Sequence, residues 1–152
     1  MLIRKFKNTD TDEIIGLLRF NTPSYFAPSE EQDLLYHLQN HASDFYVLEV
    51  DTRLLACGGI NLHIDNETAS LSWDMVHPQF HGMGLGTSLA KFRIRKIKEI
   101  KEVKTISVRT SQLVYKFYEH FGLEVKEIVK DYWEEGFDLY RMDCDLKKVS
   151  VH

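Results

Sequence analysis

The residues best suited to do chemistry stand in the run Val76-His77-Pro78-Gln79-Phe80-His81-Gly82-Met83-Gly84-Leu85-Gly86-Thr87-Ser88-Leu89. An extended apolar stretch meets a proline, glycines recur at alternate positions, and a helical pattern then begins. Glycine accepts backbone conformations closed to other residues, so the amides of such a loop can converge on one concavity. At a helix N-terminus those amides and the helix dipole favour a phosphate anion. On the residues alone two readings stand level. The loop is either a seat for the pyrophosphate of a ligand or a turn whose glycines serve only tight strand-to-helix packing. A nucleoside-triphosphate P-loop is disfavoured, because no Gly-Lys-Ser/Thr follows to supply the lysine and the magnesium ligand.

Other clusters carry less. His37 and His41 have the i, i+4 spacing of a metal pair, but no third ligand or zincin-type glutamate accompanies them. They read as a surface pair, and no metal is expected. After the glycine loop come Lys91, Arg93, Arg95, Lys96 and Lys98, with Glu99 the first acid. This run reads as a solvated helix face, with attraction for a ligand phosphate as the alternative.

Composition narrows the class. A chain of 152 residues fits one domain with a real core, and 43% hydrophobic with 28% charged residues is ordinary for a soluble globular protein. A net charge of -4 argues against a nucleic-acid partner, which usually needs a basic face. Cys57 and Cys144 lie far apart in strand-like apolar runs, as buried free thiols of a reducing compartment do. The N-terminus alternates like a strand rather than a signal peptide, and no apolar run reaches membrane-spanning length. The expectation is a soluble, cytoplasmic chain with no membrane partner.

The elements that must position these residues alternate without linker or repeat. A strand is predicted over about 2–6, then a helix from Thr9-Asp10, where Asp10 and Glu13 have capping-box spacing. Asn21 to Pro28, with two prolines, reads as a loop, and Ser29 with Gln32 matches a second capping box. Strands are predicted over about 45–50, 54–63 and 68–76, followed by the glycine loop and a helix to about Lys101. A strand over 105–109, a helix from Ser111 to Gly122, and strands near 123–129 and 137–145 complete the order. Gly122 suits the left-handed residue after a helix end. The layout is mixed α/β.

At this point the chain resembles the GNAT superfamily of N-acetyltransferases over nearly its whole length. The family's Gln/Arg-x-x-Gly-x-Gly/Ala motif reads here as His81-Gly82-Met83-Gly84-Leu85-Gly86. Its Asn-x-x-Ala-x-x-(Phe/Leu)-Tyr segment, with Gly-Phe soon after, reads as Ser111, Val114, Phe117, Tyr118 and then Gly122-Leu123. The ending Lys130-Asp131-Tyr132-Trp133 … Phe137-Asp138-Leu139-Tyr140-Arg141-Met142 is similar to the last two strands of many members. His81 stands where Gln or Arg is usual, and Ser111 and Val114 stand in place of Asn and Ala, which weakens side-chain contacts to a cofactor but not backbone ones.

The resemblance implies one domain over residues 1–152, with a largely antiparallel sheet of about seven strands, a splayed central pair and about four helices. It implies acetyl-CoA as co-substrate. The pyrophosphate would lie on His81, Gly82, Met83, Gly84, Leu85, Gly86 and Thr87, with further contacts from Ser111 and Tyr118, while Leu85 and Leu89 turn into the core. The strand Leu71-Ser72-Trp73-Asp74-Met75-Val76 would pair with the pantetheine arm, and an amide of Met75 or Val76 would donate to the thioester carbonyl. Tyr118 would be the general acid for the leaving thiolate, since a phenol of pKa ~10 is protonated at neutral pH. By spacing alone, Tyr118 shares a face with Val114, Phe117 and Phe121 and reads as core.

The attacking amine needs a base. Asp74 is the first candidate and His63 the second, each balanced by a structural reading as a solvent-facing or hydrogen-bonded residue. Acceptor contacts are expected from Tyr25, Phe26, His63 and Trp133. Aromatics beside Glu134-Glu135 would suit a cationic amine, against a packed loop with a solvated acidic turn. The Asp-Tyr-Trp ending is similar to members that acetylate protein N-termini, and the acceptor is expected to be a small-molecule or peptide amine. No cysteine sits in a His-paired nucleophile motif, so direct transfer in a ternary complex is expected. The competing class is a non-catalytic acyl-CoA-binding sensor or interaction module. Family analogy also allows a homodimer.

Overall fold

The computed structural model describes residues 1–151 and is mixed α/β, as expected. Its elements run β1 (Leu2–Lys5), α1 (Thr11–Phe20), α2 (Glu30–Asn40), β2 (Phe45–Val50), β3 (Arg53–Leu62), β4 (Thr68–Val76), α3 (Leu85–Lys98), β5 (Thr105–Thr110), α4 (Tyr115–Glu119), β6 (Glu124–Glu134) and β7 (Phe137–Asp145). The seven strands form one sheet in the order β1-β2-β3-β4-β5-β7-β6. Neighbours β1·β2, β2·β3, β5·β7 and β6·β7 are antiparallel, while β4·β5 is parallel. That parallel pair is joined through α3, the crossover a parallel connection requires.

The chain divides into two compact units, Met1–Gly59 with Trp73–Phe92, and Ile60–Ser72 with Arg93–His152. In the first, Ile14, Leu17 and Leu18 of α1 and Leu34 and Leu38 of α2 meet Phe45, Val47, Leu54, Cys57 and Met75 from the strands. These are the i, i+3/i+4 stripes that helical spacing predicts. In the second, Ile106, Val108, Leu139 and Met142 on the strands are buried, as are Ile94, Ile97 and Tyr118 on the helices and Phe121 just after α4.

Both predicted capping boxes are replaced by other bonds. Asp10 does not cap Glu13's turn, because Arg4 holds its carboxylate with two bonds of 2.8 Å and Lys7 N–H adds a third at 2.7 Å. Ser29 makes no side-chain cap, and Glu30 Oε2 instead accepts from Ala27 N–H at 2.7 Å. The helix predicted from Ser111 starts only at Tyr115, because Ser111 Oγ takes the Leu113 amide at 3.2 Å and turns the chain first. The solvated-face reading of the basic run is corrected at Arg93, whereas Arg95 and Lys98 are exposed. Arg93 is 1% exposed, and Arg95 and Lys98 donate to the carbonyls of Val151 and Val149.

Candidate functional site

In the first unit the structure gathers the glycine loop, the second half of β4 and the loop between α1 and α2. After a single 3₁₀ turn at Pro78–Phe80, the chain passes through Gly82 at φ +79° and Gly84 at φ +82°. A Cβ at either position would meet nothing within 4 Å, so glycine is required there by backbone conformation rather than by crowding. Gly86 already lies inside α3, and only two of the three glycines take the left-handed form. The first bond from loop into helix is Ser88 N–H to Gly84 O at 2.9 Å. The amides of Leu85, Gly86 and Thr87 therefore precede the helical ladder, and those of Gly82, Met83 and Gly84 lie on exposed residues. This donor set at the start of a 14-residue helix fits a pyrophosphate. Leu89 is buried, whereas Leu85 is only half-buried and supplies less of the core than expected.

His81 is exposed and its ring is turned back toward its own strand, with Nε2 2.8 Å from the carbonyl of Val76. The Val76 carbonyl also accepts from Asn21 Nδ2 at 3.1 Å. A direct His81 contact to phosphate thus requires that bond to be given up. Asn21, 2% exposed and also bonded to Leu17 O at 2.8 Å, ties the end of α1 to the end of β4. Sequence reading missed it, although a polar residue that closes an apolar helical stripe before a proline-containing loop is the signal that marks it.

β4 carries its own irregularity. Its ladder with β5 runs from Thr68↔Thr105 to Leu71↔Val108, and Trp73, two residues on, has φ +56°. A bulky residue in the left-handed region is uncommon and strained, and such strain clusters at functional positions. Asp74 follows, half-buried, then Met75, 3% exposed and part of the core cluster, then Val76. The predicted acceptor aromatics come from the α1–α2 loop to this strand. Phe26 stacks on Trp73 with centroids 6.3 Å apart and an interplanar angle of 17°, and Tyr25 meets the His81 ring edge-on at 5.5 Å. On the other side, His37 lies 6.2 Å from Trp73 and 5.9 Å from His41. Burial is the main cause that holds His37 below the ordinary histidine value of 6.5, and the His41 charge adds to it.

The second unit holds the remaining candidates. Tyr118 on α4 is 3% exposed and packs edge-on against Phe117 at 5.0 Å. Gly122 after α4 has φ +96°, as its place after a helix end predicted. Ser111, expected to touch cofactor, is 6% exposed and spends its hydroxyl on the Leu113 amide. His63 sits at the hairpin end of β3, its Nε2 2.6 Å from Ser70 Oγ, and its backbone N–H bonds to Thr68 O at 2.9 Å. Trp133 lies within β6 rather than in a loop before the last strand, and its indole N–H donates to Thr110 O at 3.2 Å.

The model of the acetyltransferase (GNAT) family matches residues 11–123. The chain belongs to that family. This GNAT chain is an acetyltransferase, and it is 26% identical over 163 residues to an N-alpha-acetyltransferase of Sulfurisphaera tokodaii, covering 95% of this chain and 92% of that protein. The same fold is seen in the ribosomal-protein-S18-alanine N-acetyltransferase of Escherichia coli, at TM-score 0.79, 18% identity and coverage of 95% and 93%. It is also seen in an aminoglycoside 6'-N-acetyltransferase complexed with coenzyme A, at TM-score 0.77, 15% identity and coverage of 96% and 97%.

Proposed function

We propose that this GNAT chain transfers an acetyl group from acetyl-CoA directly to a primary amine, of a small molecule or a peptide N-terminus, within a ternary complex. The observation that carries the reading is the loop with Gly82 and Gly84 in left-handed conformation at the start of α3. Its free amides suit a pyrophosphate without help from side chains. A coenzyme A-bound structure of the same fold and a full-length N-alpha-acetyltransferase relative support donor and acceptor class respectively. The family match runs through both compact units, which favours one functional domain over 1–152. Cys57 and Cys144 are not joined in a disulfide, which is consistent with a reducing, cytoplasmic setting.

Acetyl-CoA supplies the acyl group already activated as a thioester. In this chain His81, Gly82, Met83, Gly84, Leu85, Gly86 and Thr87 would seat its pyrophosphate, mainly through backbone amides. Met75 or Val76 would donate an amide to the carbonyl oxygen as negative charge develops there. Asp74, half-buried beside the strained Trp73, is the proposed base for the ammonium of the acceptor. Tyr118 is the proposed acid, on the strength of its match to the family's tyrosine, and it protonates the departing thiolate. Tyr25 and Phe26 would line the acceptor's approach, since both touch residues of the β4 end and its loop. His63 is the weakest of the candidates, because Ser70 and the β3–β4 turn already account for its bonds.

The test is coenzyme A release from acetyl-CoA against pools of polyamines, amino sugars, amino acids and peptides with varied N-termini. Turnover in one pool is expected, with Tyr118→Phe lowering kcat by about 10²- to 10⁴-fold, the range for one general acid. Tight acetyl-CoA binding with no turnover in any pool would instead favour an acyl-CoA sensor. Absence of acetyl-CoA binding would overturn the reading.

A further inference from the structure

The chain has two tryptophans, and their indole N–H groups fare differently. Trp133 donates to Thr110 O at 3.2 Å. Trp73, half-buried on β4, has no acceptor for its indole N–H among the described residues. An indole N–H withdrawn from bulk water is normally given a partner.

The Trp73 ring is not free to swing away and find one. Phe26 stacks on it at 6.3 Å and 17°, and the His37 ring lies 6.2 Å away at 53°. The ring packs against the core of the first unit, and Cys57 Sγ donates to the Trp73 backbone carbonyl at 3.7 Å. The donor is thereby fixed in direction before any ligand arrives. His37 Nε2, on the neighbouring ring, is likewise buried without a partner. Two ring nitrogens with no protein partner thus meet where α2 faces β4, among the described residues.

This place adjoins the proposed reaction within the same unit. Phe26, proposed to line the acceptor's approach, is the ring stacked on Trp73. Asp74, the proposed base, is the next residue, and Met75, a proposed oxyanion donor, is the one after. A regular strand sends successive side chains to opposite faces, but φ +56° at Trp73 breaks that alternation.

We propose that Trp73 recognises the acceptor, its indole N–H donating to an oxygen that the acceptor carries close to its amine. The inference rests on the acetyltransferase reading above. It sets amines with a neighbouring hydroxyl or carbonyl apart from polyamines and plain alkylamines. An acceptor without that oxygen would cover the donor and leave it unpaired, which costs binding energy.

The experiment takes the best acceptor from the amine pools and its analogue with the oxygen nearest the amine replaced by a methylene group, in wild type and Trp73→Phe. Wild type should favour the oxygen member by about 3- to 10-fold in kcat/KM, the range for a neutral hydrogen bond. Trp73→Phe keeps an aromatic ring without the N–H. There the ratio should fall toward one, with the loss in acceptor KM and the KM for acetyl-CoA unchanged. A polyamine or plain alkylamine as best acceptor, no preference in wild type, or a preference that survives Trp73→Phe overturns the proposal. A second readout leaves Trp73 in place. In Trp133→Phe the one remaining indole N–H resonance belongs to Trp73, and with coenzyme A present it is titrated with alaninamide and with 3-methylbutan-2-amine. A downfield shift with the amide alone supports the proposal, and equal behaviour of the two compounds overturns it. Acetyl-CoA calorimetry on the same samples separates failure of the acetyltransferase reading from failure of this one.

Discussion

Gly82 and Gly84 differ from the other loop residues in a way that substitution can isolate. Both hold φ near +80°, and neither has an atom near where a Cβ would stand. An alanine there introduces backbone strain without a clash, and the strain is about 1 kcal/mol or more. Gly84→Ala should therefore weaken acetyl-CoA binding by roughly five-fold or more, read by calorimetry, because the amides can no longer converge at no cost. Gly16→Ala is the contrast. It lies inside α1 with open space around it and no positive φ, so the substitution should raise stability by about 0.4–1 kcal/mol and leave acetyl-CoA affinity alone. The loop was legible in sequence because glycine spacing records backbone conformation directly. The role of His81 was not, because a side chain's partner depends on what folding brings beside it. Here that partner is a carbonyl five residues back.

At the scale of elements, the end of β4 depends on α1 through one amide side chain. Asn21, just after α1, donates to Leu17 O of that helix and to Val76 O across to the strand. Asn21→Ala removes a side chain that is 2% exposed and leaves the Leu17 carbonyl without this donor and the Val76 carbonyl with His81 alone. The expected cost is about 1–3 kcal/mol in chemical denaturation, with weaker acetyl-CoA binding as the strand end loosens. His81→Ala should cost less, because Asn21 still answers the carbonyl and the histidine ring is exposed. If both variants unfold alike to within about 0.5 kcal/mol, the tether is not what fixes the strand end. Strand and helix order was readable because period two and period 3.6 are written in the apolar residues. Caps were less readable. Asp10 and Glu13 carry capping-box spacing, but Arg4 on β1 competes for Asp10, and Glu13 Oε2 instead accepts from Leu54 N–H at 3.3 Å. β6 was predicted too short because an exposed edge strand lacks the alternation that marks a half-buried one.

For the molecule as a whole these placements predict an acid limb of stability in two separate stages. His37 is half-buried, its Nε2 meets no hydrogen-bond partner among the described residues, and burial holds its folded-state value below 6.5. The unfolded chain therefore binds a proton there before the folded one does, and stability falls as pH drops through about 6.5 toward the lower folded value. Asp10 acts later. Its hydrogen bonds to Arg4, the largest cause, hold the carboxyl below its ordinary range, opposed in part by burial. Its contribution is complete above about pH 4 and is lost as pH falls through the depressed folded value. Melting temperatures between pH 8 and pH 3 should show both stages. His37→Phe, which removes the unpaired nitrogen and keeps a ring against Phe45 and Trp73, should abolish the first and raise stability at pH 5.5 by about 1 kcal/mol. Asp10→Asn should leave that first stage in place, lower stability at pH 7 by about 1–3 kcal/mol, and flatten the curve below pH 4. A wild-type curve level from pH 8 to pH 5, or a His37→Phe curve that still declines over that span, would show that the first stage arises elsewhere than at His37.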